Sequence, residues 1–252
     1  MIVKGNGGEY YLAVMSARRS GNVALLEDMI GHRATWYVTK GEQADYFANG
    51  ATAVLETGQI CESRNAALRD ARRHGLPCVQ LSDDLRKLQI MDVDGDAQHT
   101  TFTFAADLMI DRLQRTPFQL AGVAPTANTY FFSTRRRVQT AHFVVGDFIV
   151  IGRNSSLLFD ENITFKEDYD FTVQNIHSYG GVVRCNDILA TFLHNTNEGG
   201  AVRHRTAEAE QRGIAYLNAK WPDAFLPNKK RENEILMRRV TSAIELPTGV
   251  FD

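Results

Sequence analysis

Residues 10–31, YYLAVMSARRSGNVALLEDMIG, pass from a β-rich apolar stretch through a short polar loop into a segment with helical spacing. The unit recurs: TWYVTK (35–40) precedes EQADYFANG (42–50), ATAVLET (51–57) precedes ICESRNAALRDARRHG (60–75), and PCVQLSDD (77–84) follows. Strand followed by helix, several times over, predicts an α/β fold with a mainly parallel sheet covered by helices. In 60–75, Ala67, Leu68 and Ala71 sit at helical spacing, and Gly75 with Pro77 closes the helix.

Further along, MDVDGDAQH (91–99) is polar and turn-rich and reads as a loop. Its D-x-D-G-D invites a calcium reading, yet Thr103 stands where the loop's terminal glutamate belongs. TFTFAADLMIDRLQRT (101–116) reads as a helix, after which the pattern changes. FQLAGVAP (118–125) and TAHFVVGDFIVIGRN (140–154) predict strands and a hairpin about Gly146-Asp147. FKEDYDFTVQNIHSYG (165–180) predicts another helix, GVVRCND and ILATFLHN short strands, and 198–220 a polar helix.

The 252 residues are 44% hydrophobic and 23% charged, which suits one large globular domain or one domain with an appendage. With 28 basic and 30 acidic side chains the formal charge is -2, so a polyanion must be held by a local patch. Cys61, Cys78 and Cys185 are widely spaced, which suggests neither a disulfide framework nor a zinc ribbon and suits a reducing cytosol. No stretch approaches the roughly 20 apolar residues of a membrane span, and a cytoplasmic location without membrane partners is expected.

Ligands of open parallel sheets bind outside the carboxyl ends of the strands. Asp83 and Asp84 stand at such an end. Mg2+ and Mn2+ take carboxylate and phosphate oxygens, so the pair suits a cation shared with a diphosphate. The same letters suit a helix cap, with Ser82 or Asp83 opening DLRKLQI. In MSARRSGN (15–22), Ser16, Arg18 and Arg19 fit phosphate or ribose contacts, or an ordinary polar loop. Arg64 and Asn65 fit ligand contacts or a solvated first turn. Glu167, Asp168 and Asp170 crowd one helical turn, where they serve a site or complement the helix dipole. Tyr130, Phe131 and Phe132 precede Arg135, Arg136 and Arg137; with Arg203–Arg205 and Lys229–Arg231 they offer base stacking and phosphate contacts, or solvated faces.

Taken in order, the strand-loop, the Arg-Asn helix, the strand ending in S-D-D, the helix with E-D-Y-D-F and the late H-N resemble a GT-A fold glycosyltransferase. FKEDYDFTVQNIHSYGGVVRCNDILATFLHNTNEGGA with AGVAPTANTYFF is similar, more narrowly, to the TET-associated glycosyltransferases encoded by phages and some eukaryotes. The likeness covers about residues 9 to 205. It implies a GT-A-like, Rossmann-like domain over 1–222 with a mixed acceptor-side half, and a C-terminal tail over 223–252. It further implies a nucleotide-sugar donor, a UDP-sugar foremost, with Mn2+ or Mg2+, and 5-hydroxymethylpyrimidine in DNA as acceptor. Asp84 is then the direct metal ligand and His194 a late one, while Ser16, Arg18, Arg64, Asn65 and Asp83 face the donor. Asp168, with Glu167 as its rival, becomes the general base of an inverting transfer, and Tyr130, Arg135, Arg136, Arg137 and Arg203 meet DNA. This chain has S-D-D where that family has D-x-D.

Three alternatives stand beside that reading. One keeps the enzyme and changes the acceptor to a glycan, lipid or protein. Another is a catalytically silent nucleotide- or DNA-binding module. A nucleotidyltransferase fits less well, because the glycine-rich GNGG (5–8) precedes the first strand instead of following it.

Overall fold

The computed structural model describes residues 1–133, 136–193, 206–238, 244, 246 and 249–251. Its first half contains β1 (Ile2–Lys4), β2 (Glu9–Met15), α1 (Asn22–Ile30), β3 (Thr35–Val38), α2 (Gln43–Ala48), β4 (Ala53–Glu56), α3 (Ile60–Arg73), β5 (Cys78–Ser82), β6 (Leu85–Met91), β7 (Ala97–His99) and α4 (Phe102–Gln114). The second half adds β8 (Leu120–Val123), β9 (Val138–Gln139), β10 (Phe148–Ile151), α5 (Glu167–Tyr179), β11 (Val183–Cys185), β12 (Ile188–Phe192), α6 (Ala207–Lys220), β13 (Phe225–Pro227) and β14 (Ile235–Met237).

One sheet runs β4-β3-β2-β5-β10-β8-β11-β9, with β1 paired antiparallel to β2. β2 is parallel to β3 and β5, β3 to β4, and β8 to β11; β10 is antiparallel to both β5 and β8. Two reversals restore the first direction, so the carboxyl ends of β2, β5, β8 and β11 share an edge with the amino end of β10. The mainly parallel α/β architecture matches the strand-helix alternation.

Both faces of the sheet are covered, and period-two alternation decides which side chain meets which helix. From β2, Leu12 and Val14 pack with Val23 and Leu26 of α1 and with Met109 of α4. Tyr11, Ala13 and Met15 turn the other way, toward Ala67 and Leu68 of α3 and Phe171 of α5. Because each face of the strand is buried, its sequence is apolar throughout rather than alternating. α3 opens with a reciprocal cap between Gln59 and Glu62 and is left through Gly75, whose φ of 67° suits glycine.

Two expectations are corrected. The run 140–154 makes no hairpin: β10 is buried along its whole length and inserts between β5 and β8, gaining a strand on each edge. DLRKLQI is not a helix either, for β6 is a strand of a small antiparallel sheet ordered β12-β6-β7. Asp83 and Asp84 therefore cap nothing; they form the turn between β5 and β6. In the acidic loop, the Asp92 carboxylate accepts the Asp94 and Asp96 N–H groups and the Gln98 amide, a self-closed turn.

The 223–252 stretch contributes the antiparallel pair β13–β14. Phe225 and Ile235 pack with Ile163, Val173 of α5 and Leu217 of α6. Cys61, Cys78 and Cys185 are free and buried. Among the described residues no helix is long and apolar enough to cross a membrane.

Candidate functional site

From β2 the chain moves to one side, through β3 and β4, and returns on the other side as β5. The loops leaving β2 and β5 part at this switch point, which is where open α/β sheets form a ligand crevice. Ser16 follows β2 there and Asp83-Asp84 follows β5 there. Ser16 Oγ donates to the Asp83 carboxylate and lies 2.5 Å from the Tyr46 hydroxyl, which in turn accepts the Arg19 N–H at 3.2 Å.

Arg18 adopts a left-handed φ of 57°, and the two arginines diverge. Arg18 stays at the rim, 45% exposed and 3.9 Å from Glu42. Arg19 turns in, with Nη1 3.0 Å from Asp83 Oδ1 and 3.4 Å from Asp84 Oδ2. Sequence offers no means of choosing between neighbours of identical type: the resemblance turned Arg18 toward the donor, whereas Arg19 is the one that faces the carboxylates. Burial pushes the Asp83 carboxyl up to about 6, opposed by Ser16 and Arg19. The Asp84 carbonyl accepts the Leu193 N–H at 3.2 Å, which brings the end of β12 onto the aspartate turn. His194, Arg135 and Arg203 lie outside the described residues.

A second acidic group reaches the same edge. The Ser82 N–H bonds to the Asp147 carbonyl at 2.8 Å, and Ser82 Oγ donates to Asp147 Oδ1 at 3.2 Å. Next to it, the Gly146 N–H donates to Asp168 Oδ2 at 3.2 Å. Glu167 and Asp168, in the first turn of α5, are thereby tied to the start of β10 and so to the end of β5. Gly146 permits this approach: a Cβ there would stand 2.6 Å from Arg64 Nη2 and 3.2 Å from Asp168 Cβ. Burial raises the Asp168 carboxyl well above the usual carboxylate range, and the charges of Glu167 and Asp147 raise it further.

Arg64 and Asn65 prove to be internal and bonded within the protein, not parts of a solvated first turn. Arg64 Nε meets Glu167 at 3.3 Å, Nη1 meets Gln80 at 3.1 Å and Nη2 meets the Gly146 carbonyl at 3.0 Å. It is 4% exposed and locks α3, β5, β10 and α5 together. The Asn65 amide is committed to both Phe159 main-chain groups and to Glu161. Cys61, Arg64, Asn65 and Leu68 fall at i, i+3, i+4 and i+7, so one buried stripe of α3 was the available signal.

At the far end of the shared edge, Tyr130 is 84% and Phe131 70% exposed, packed edge to face. Arg136 is exposed and lines a pocket of about 370 Å³. Arg137 departs from the DNA-contact expectation: its guanidinium turns inward, donates to the Met91 and Asp92 carbonyls and lies 3.5 Å from Asp187. No protein-family profile and no curated protein matches this chain.

Proposed function

We propose that the protein is a metal-dependent glycosyltransferase that moves a sugar from a nucleotide-sugar donor to a hydroxyl, with a 5-hydroxymethylpyrimidine in DNA as the acceptor. The observation that supports it is the pairing, on one sheet edge, of a carboxylate pair at the switch point with a second, desolvated carboxylate at the start of α5.

The residues at the switch point fit a hard divalent cation. Asp83 and Asp84 converge on one positive atom, Arg19 Nη1, and both are buried, which supports reading the space between these two oxygen donors as a cation position. Asp84 would hold Mn2+ or Mg2+, with Asp83 steadied by Ser16. When bound, such an ion neutralises the diphosphate leaving group. Ser16 and Arg19 orient the donor's ribose and phosphates in the crevice. Asp168 accepts the proton of the attacking hydroxyl, and its raised basicity suits that task near neutral pH. Glu167 is held by Arg64 and keeps Asp168 electrostatically strained. The aromatic pair Tyr130–Phe131, with Arg136 behind it, offers an extruded base a stacking surface and its strand a phosphate contact.

Incubation with Mn2+, a panel of nucleotide sugars and hydroxymethylated DNA, followed by digestion to nucleosides and mass spectrometry, tests the reading. A hexose-sized mass increase on the modified nucleoside is expected. Donor hydrolysis that DNA does not stimulate moves the acceptor to a glycan, lipid or protein. Donor binding with no turnover on any acceptor leaves a silent binding module.

A further inference from the structure

Arg64 and Arg112 are the buried arginines among the described residues, and each has a carboxylate. Arg64 has Glu167; Arg112 grips Asp187 with both Nη atoms, at 2.7 and 2.6 Å. Arg184, in β11, is different. Its Nε donates to Asn186 Oδ1 at 2.9 Å, Nη1 to the Phe143 carbonyl at 3.3 Å and Nη2 to Gln139 Oε1, all neutral acceptors. Three of the five guanidinium N–H groups are thus used, and two have no acceptor among the described residues. A partly buried charge held only by neutral groups is costly unless a counter-ion completes it. Burial alone lowers its pKa, to about 10, with no acidic neighbour opposing the fall.

The surroundings are built to the same end. Arg184 lines the 370 Å³ pocket with Arg136, His142 and the amides of Asn128, Gln139 and Asn186, and among the described residues no carboxylate lines it. Asn186 Nδ2 fixes the Arg136 carbonyl at 2.7 Å, so the segment carrying the second arginine is fastened to the strand carrying the first. The pocket opens past the carboxyl ends of β8 and β11, with Ala124 following the one and Arg184 and Asn186 on or after the other. It lies on the edge that carries Asp83 and Asp84, with β10 between.

We propose that this pocket binds a phosphoryl group, with Arg184 as the preorganised fork and Arg136 as the second cation at its mouth. Two arginines, neutral amides and no acid make a receptor for an oxyanion, and planar guanidinium donors match phosphate oxygens two at a time. The phosphoryl group belongs either to a phosphodiester strand or to a free nucleotide. Sugar transfer plays no part in this binding; a diester here would deepen the acceptor side of the proposed function, and binding measured without donor or metal fails or succeeds apart from transfer.

The test is equilibrium binding without metal or sugar donor, using three probes: inorganic phosphate, thymidine 5′-monophosphate and a fluorescent short oligodeoxythymidylate. Arg184→Met and Arg136→Ala are each expected to weaken binding about tenfold or more, the worth of a charge-assisted hydrogen bond, while Arg184→Lys retains part of it. Arg136 is exposed, so its variant keeps the fold, which a thermal melt verifies. Sodium phosphate should displace the probe better than sodium chloride at equal ionic strength. Binding confined to the strand identifies a diester, and binding of the monophosphate identifies a nucleotide; both support the pocket. Affinities unchanged in both arginine variants, or equal displacement by chloride and phosphate, overturn it.

Discussion

Two acidic groups share one edge of the sheet and are treated in opposite ways. Asp83 and Asp84 are both buried; at Asp83 the rise caused by burial is opposed by Ser16 and Arg19, and Arg19 also meets Asp84, so the pair has a positive partner where it stands. Asp168 is desolvated too, yet its charged neighbours Glu167 and Asp147 add to the rise and Arg64 only partly offsets them. Burial alone does not assign a role to a carboxylate; the sign of what surrounds it does. Under the proposed function the compensated pair exchanges one cation for another, and the less compensated acid takes a proton.

The largest expected effects separate those roles. Asp84→Ala should abolish Mn2+-dependent donor binding, read as loss of the melting-temperature increase that donor and Mn2+ give together. Asp168→Asn should keep that increase and lower kcat by about 10²–10⁴-fold, the usual contribution of a positioned base. If Asp84→Ala binds donor with Mn2+ as the parent does, the two groups are not distinguished in this way.

The pH dependence sharpens the same contrast. A folded-state carboxyl raised above its unfolded value binds its proton more tightly when folded. Its contribution to stability is therefore fully present at low pH and is lost as pH rises through the raised value. Between about pH 4 and pH 8 the parent should lose melting temperature relative to Asp168→Asn, which has no such group. Over the same interval kcat/KM should rise with pH, because the base acts only when unprotonated. A melting-temperature difference that stays flat with pH would place Asp168 among ordinary solvated acids.

How much of this was legible differs by region. The alternation through residue 84 was legible because strands buried on both faces and amphipathic helices leave distinct local patterns, as in YYLAVMS followed by NVALLEDMIG. The role of Gly146-Asp147 was not. Those letters mark a turn, but the partner of Phe148 is Leu81, far back in the chain, and no local pattern names it. Asn65 looked exposed because a polar residue on a helix usually is; its face, shared with Cys61 and Leu68, was the better guide.

A smaller effect probes how the second acid is held. Gly146→Ala drives a methyl against Arg64 Nη2 and the Asp168 side chain. It should cost about 1–3 kcal/mol by overpacking and lower kcat more than donor affinity, since it disturbs Asp168 and not the switch-point pair. Chemical denaturation and steady-state kinetics on the same preparation measure both.

The smallest effect belongs to the outer of two adjacent arginines, set against its neighbour. Arg19 sits between two buried carboxylates, so Arg19→Ala strands both charges and should destabilise by about 3–5 kcal/mol. Arg18 faces outward, and its 3.9 Å contact with Glu42 is solvent-screened and weak. Arg18→Ala should change stability by no more than about 0.5 kcal/mol and leave the donor-induced melting shift nearly intact. The left-handed backbone at Arg18 separates the two side chains, which makes Arg18 a rim residue despite its place in the loop. Equal losses from the two substitutions would mean that Arg18 swings into the crevice when donor binds, and the compensated pair would then draw on both arginines.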